Sequence, residues 1–66
     1  MSTRQSIVEI GDELLRSRGY SAFSYSDISK RLGIKNAAIH YHFPTKADLI
    51  LAIIDFHRTS FKKFEE

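Results

Sequence analysis

The sequence predicts an all-α fold: a three-helix, homeodomain-like unit containing a helix-turn-helix, followed by a long fourth helix. Three observations carry that expectation. Apolar residues recur at three- and four-residue spacing, and no stretch alternates as a half-buried strand would. A capping-box pattern opens three stretches, at Ser2–Gln5, Ser24–Asp27 and Thr45–Asp48, where a hydroxyl and a side chain three residues on satisfy helix-start N–H groups. Gly19, Gly33 and Pro44 supply stops between them.

The first helix opens at Ser2 or Thr3. Ile7, Ile10 and Leu14 form its apolar stripe, with Val8, Gly11 and Leu15 beside it. Asp12 and Arg16, four apart, are assigned to the opposite, solvated face. Glycine in a helix interior costs about 1 kcal/mol against alanine, so Gly11 is expected to admit a second helix closely. Tyr20 and Phe23, in the connection after Gly19, are expected in the core.

The second helix buries Ile28 and Leu32 and stops at Gly33, with Ile34 folding back on its last turn. The third runs from about Asn36 to His42, since Pro44 cannot continue it. Successive helical residues turn by about 100°, so Ile39 and Phe43 face inward while Asn36, Ala37, His40 and Tyr41 face outward. The fourth helix, capped by Thr45 and Asp48, can reach the chain end at a length of ~33 Å. Leu49, Ala52, Ile53 and Phe56 form one stripe; Ile50, Ile54, Phe61 and Phe64 form its neighbour. Together they cover roughly 200° of circumference, more than one core requires. The second stripe is therefore expected to lack a partner here, and the turns after Arg58 to fray or to pair with another copy.

At 66 residues there is room for one modest core, burying only about 60% of the surface of the unfolded chain. Cysteine is absent, which removes disulfides, thiolate zinc sites and cysteine nucleophiles together. The longest apolar run, "LILAII", is too short to span a bilayer. These features fit a soluble, cytoplasmic domain, or a fragment whose remainder supplied stability. The net charge of +2 conceals its placement. Between residues 14 and 46 stand Arg16, Arg18, Lys30, Arg31, Lys35 and Lys46, opposed by Asp27 alone. A basic middle points to an anionic partner, of which nucleic acid is the common one; a solvated charged face is the other reading.

The stretch "IHYHFPTK" at 39–46 raises three chemistries. Metal binding fails on spacing, because residues two apart on a helix do not face each other and helical zinc pairs stand four apart. Catalysis finds neither a serine–histidine pair with an orienting carboxylate nor a glycine-rich phosphate loop, so no enzyme, metal or cofactor is expected. A contact surface remains. Alanines at 37 and 38 let the helix backbone approach what it docks into, as a major groove demands. Polar, aromatic and basic groups around them can meet phosphates and base edges. His42 packing beneath the helix, and Tyr41 covering the edge of the core, are alternatives.

The run from Gly19-Tyr20 through Ser24-x-x-Asp27-Ile28-Ser29 and Leu32-Gly33-Ile34 to Tyr41-His42-Phe43-Pro44-Thr45-Lys46 resembles the DNA-binding domain of the tetracycline-repressor (TetR) family of bacterial regulators. The resemblance extends from Ile7 to about Ile54. It implies a DNA-binding head at 1–48, with the helix-turn-helix at about 24–43. A fourth helix at 45–66 would lead to a ligand-binding and dimerisation domain absent from this chain. It further implies a cytoplasmic repressor, nucleoid-associated when bound, whose homodimer grips a palindromic operator on double-stranded DNA until a small-molecule ligand releases it.

Carried over residue by residue, the resemblance places Ser24 and Tyr25 at a phosphate and Lys35, Asn36, Ala37 and Ala38 where bases are read. It places His40, Tyr41 and His42 on the DNA backbone, and Lys46 at a phosphate beside a helix N-terminus. Three positions depart from the family pattern: Lys35 for a serine cap, Ala37 for a glycine and His40 for a tyrosine. These bear on which operator is read. The alternative function is a helical protein-interaction module acting through the fourth helix.

Overall fold

A computed structural model of the chain describes residues 2–65, with side chains to residue 58. The expectations placed on Phe61 and Phe64 lie outside the described side chains. Four helices follow in order: α1 (Thr3–Arg18), α2 (Tyr25–Leu32), α3 (Asn36–His42) and α4 (Lys46–Glu65). A single 3-10 turn, Tyr20–Ala22, joins the first two. No strand occurs among the described residues. None of their helices is long and apolar enough to cross a membrane.

The helix starts follow the capping chemistry, with one difference. At α4 the box is complete: Thr45 N donates to Asp48 Oδ2 at 3.0 Å and Asp48 N donates to Thr45 Oγ1 at 3.2 Å. At α2 the Asp27 carboxylate accepts from Ser24 N at 2.8 Å and from Ser24 Oγ at 3.2 Å. At α1 only half the box forms. Ser2 Oγ accepts from Gln5 N at 3.1 Å, while the Gln5 amide turns forward to Glu9 at 3.1 Å. The α2 stop is as expected. Gly33 sits at φ 70°, where a Cβ would strain the backbone. Its N–H and that of Ile34 both reach Ser29 O, at 2.8 and 3.1 Å, closing the last turn.

One core joins all four helices: Ile7, Val8 and Leu14 from α1, Ile28 from α2, Ile39 from α3, and Leu49 and Ile53 from α4, with Phe23 and Phe43 from the connections. Gly11 lets α4 approach. A Cβ there would stand 3.1 Å from Ile53 Cδ1 and 3.5 Å from Leu49 Cδ2.

Three expectations are corrected by this packing. Tyr20 is 54% exposed rather than in the core, because the turn after Gly19 carries its ring outside. Asp12 is buried rather than solvated, because α4 crosses α1 next to Gly11. Its carboxylate pairs with Arg16 at 3.3 Å and with Nε2 of His57, which ties α4 to α1. Ile50, expected without a partner, is half-buried against the core. Ile54 is exposed as expected, and Leu51, which lay in neither stripe, is exposed as well.

Candidate nucleic-acid interface

The α2–turn–α3 unit presents one face of α3 to solvent. Ile39, wholly buried, and Phe43, 2% exposed, anchor that helix from inside. On the other side Lys35, Asn36, Ala37, His40 and Tyr41 are exposed, while Ala38 and His42 are half-buried at its margins. Tyr41 is 82% exposed, so it does not cover the core edge.

Lys35 occupies the N-cap of α3 without making a side-chain cap, so the first N–H groups there are open to solvent or ligand. The two histidines lean on rings. His40 lies 4.5 Å from the Tyr25 ring and His42 meets Tyr41 edge-on at 5.2 Å. They do not face one another across a ligand site.

At the start of α2 the picture is mixed. Ser24 is exposed, but its hydroxyl donates to Asp27. The Ser24 backbone N–H, then its hydroxyl and the Arg18 guanidinium, hold the Asp27 carboxyl below its ordinary pKa against a smaller opposing effect of burial. Arg18 sits 3.3 Å from Asp27 and offsets its charge at this helix end.

Tyr25 and Lys46, which the resemblance places at phosphates, meet backbone carbonyls in this structure. Tyr25 is only 8% exposed, and its hydroxyl lies 2.8 Å from Phe43 O and 2.6 Å from Thr45 O. Burial, and then the nearby Asp48 carboxylate, raise the phenol above its ordinary pKa and keep it neutral. The Lys46 ammonium donates to Phe23 O at 2.6 Å and to Tyr20 O, and faces both of those rings. Both polar groups are turned inward.

One cation beside this face escaped sequence reasoning. Arg4 places its guanidinium 5.0 Å from the centre of the Phe43 ring, next to the end of α3. A positive charge in the first turn of α1 opposes the helix dipole, so its place is not explained by α1 alone. No local pattern could have found it, because only the crossing of α1 over α3 brings residues 4 and 43 together. Lys30 and Arg31 are exposed on α2, and Arg31 donates to Glu13 at 2.8 Å.

Residues 7–53 match the family model described as bacterial regulatory proteins, tetR family. The chain belongs to the TetR family. Among its curated TetR-family relatives is the HTH-type transcriptional regulator TtgR of Pseudomonas putida, 34% identical over 86% of this chain and 28% of that protein. The HTH-type transcriptional regulator AcrR of Shigella flexneri is 32% identical over 96% of this chain and 29% of its own length. The crystal structure of a TetR transcriptional regulator from Legionella pneumophila superposes with a TM-score of 0.88 at 42% identity, covering 91% of this chain and 32% of that one. This TetR-family chain thus spans under a third of the length of these relatives. Its all-α helix-turn-helix fold is shared with the Legionella pneumophila regulator.

Proposed function

We propose that this chain is the DNA-binding unit of a bacterial transcriptional regulator and reads duplex DNA by laying the outer face of α3 in the major groove. The exposed face itself carries the proposal. Ile39 and Phe43 fix one side of α3, and the other offers Asn36 and Lys35 around a flat alanine centre, with His40 and Tyr41 behind them. An unobstructed, small-centred helix surface is what a groove about 12 Å wide admits.

In this reading Asn36 and the backbone at Ala37 and Ala38 meet base edges, while Lys35 supplies charge. Ser24, His40, Tyr41 and His42 hold phosphates and set register. Family membership supports the wider scheme: a homodimer on a palindromic operator, a repressor released by a small-molecule ligand bound in a further domain, acting in the cytoplasm at the nucleoid. The exposed Leu51 and Ile54 on α4 then serve contacts within the larger regulator rather than a separate activity. No side chain is assigned a catalytic role.

The test is binding of the chain to a random-sequence duplex, followed by fluorescence anisotropy from about 50 to 200 mM salt. Phosphate-led binding weakens by orders of magnitude over that range. Affinity that ignores salt would sink the proposal.

A further inference from the structure

A row of rings at the end of α3 finishes on a cation from α1. His42 meets the Tyr41 ring edge-on at 5.2 Å and lies 6.4 Å from the Phe43 ring. The Arg4 guanidinium stands over that same Phe43 ring, 5.0 Å from its centre. Phe43 is buried, whereas Arg4 is exposed.

We propose that Arg4 is a phosphate contact on duplex DNA, carrying the grip of Tyr41 and His42 past the end of α3 and onto α1. The inference rests on the DNA-binding function proposed above.

The charge has no other use in the chain. Three and four residues along α1 stand Ile7 and Val8, so no carboxylate occupies the places where a helical ion pair would form. Among the described residues no ion pair involves Arg4, and Asp55 of α4 lines the same surface hollow without pairing. Nor does the Arg4 side chain make a hydrogen bond among them. Contact with a ring consumes none of the five N–H donors of a guanidinium, so all five are left for an acceptor. A phosphate can take two of them in parallel.

Covering Phe43 does not by itself call for arginine. An uncharged alkyl stem would shield the ring equally well, without a positive charge opposing the dipole of α1 in a first turn that holds no acid. The ring contact also holds the cation at the same end of α3 as Tyr41 and His42. A side chain already placed gives up less freedom when a ligand arrives.

The experiment measures affinity for a random-sequence duplex from about 50 to 200 mM salt for the wild-type chain, Arg4→Met and Arg4→Lys, with a thermal melt of each. Methionine keeps an apolar stem for Phe43 and removes the charge; lysine keeps the charge. Arg4→Met is expected to bind more weakly and to lower the salt slope by about one, so that its deficit against wild type shrinks about three- to fourfold across that range. Arg4→Lys should restore the slope. The loss should be equal on every duplex, since phosphates carry no base information. A wild-type slope in Arg4→Met overturns the inference, and a lowered melting temperature with that slope would assign Arg4 to the cover of Phe43 alone. Arg4→Gln, also uncharged and a good helix former, repeats the comparison if Arg4→Met fails to fold. Salt-dependent binding by the wild-type chain keeps the DNA-binding function standing where this inference falls; without it both fall.

Discussion

The Asp12 carboxylate of α1, buried where α4 crosses, is held by the half-exposed His57 ring from α4 and by Arg16 one turn along its own helix. This is a polar link between the first and last helices, and it stands beside the apolar contact at Gly11. Asp12→Ala should destabilise the chain by about 1–3 kcal/mol, because packing is lost and two donors lose their acceptor. His57→Ala should cost less than about 1 kcal/mol, since Arg16 still pairs with the carboxylate. Urea unfolding of both variants and of the double mutant checks this. A His57→Ala loss equal to that of Asp12→Ala would mean that Arg16 contributes nothing.

Gly11 tests how tightly α1 and α4 meet. Alanine gains about 1 kcal/mol of helix propensity, while its Cβ presses on Ile53 Cδ1 from 3.1 Å, a side-chain end that can shift. Gly11→Ala is therefore expected to lie within about 1 kcal/mol of wild type. Gly11→Val adds branches that press on the Ile53 and Leu49 side-chain ends together and should cost about 1–3 kcal/mol. Thermal melts compare the two, and equal melting temperatures would show that the contact is loose.

Acid should act through Asp27. Its pKa is lowered in the folded chain, chiefly by the Ser24 backbone N–H, so the folded state binds that proton less readily than the unfolded state. The stability it contributes is present above the ordinary carboxylate pKa and is lost as pH falls through the lowered folded value. Asp27→Asn removes that titration. Its urea midpoint should fall less than that of wild type between about pH 5 and pH 2.5. Parallel curves would show that the Ser24–Asp27 cap is absent in solution.

The outer face of α3 divides into reading and gripping. Asn36→Ala is expected to relax preference at one or two base pairs, by about 1–3 kcal/mol if its amide forms a bidentate contact. Tyr41→Phe should weaken binding to all duplexes alike, since phosphates carry no base information. Selection from a random DNA pool with each variant checks this. A changed preference in Tyr41→Phe, with none in Asn36→Ala, would exchange the two roles.

The sequence by itself determined the helices, most of the core and the outward face of α3. Those features depend on groups within about four residues of one another: Asp48 at Thr45, Asp27 at Ser24, Ser29 at Gly33, and the spacing of Ile39 and Phe43. A linear pattern contains all of that information. Tertiary structure alone decided which polar residues remain available on the surface. Asp12 pattern-matches a wet face until α4 covers it, and Tyr20 a core residue until the turn after Gly19 turns it out. Tyr25 and Lys46 stand at helix starts where an anion could sit, yet they find carbonyls 18 to 26 residues away. Arg4 reaches Phe43 only because α1 crosses α3. A hydroxyl or ammonium has no preferred direction in sequence; it turns to the acceptor that packing brings nearest, and burial makes an unmet one costly.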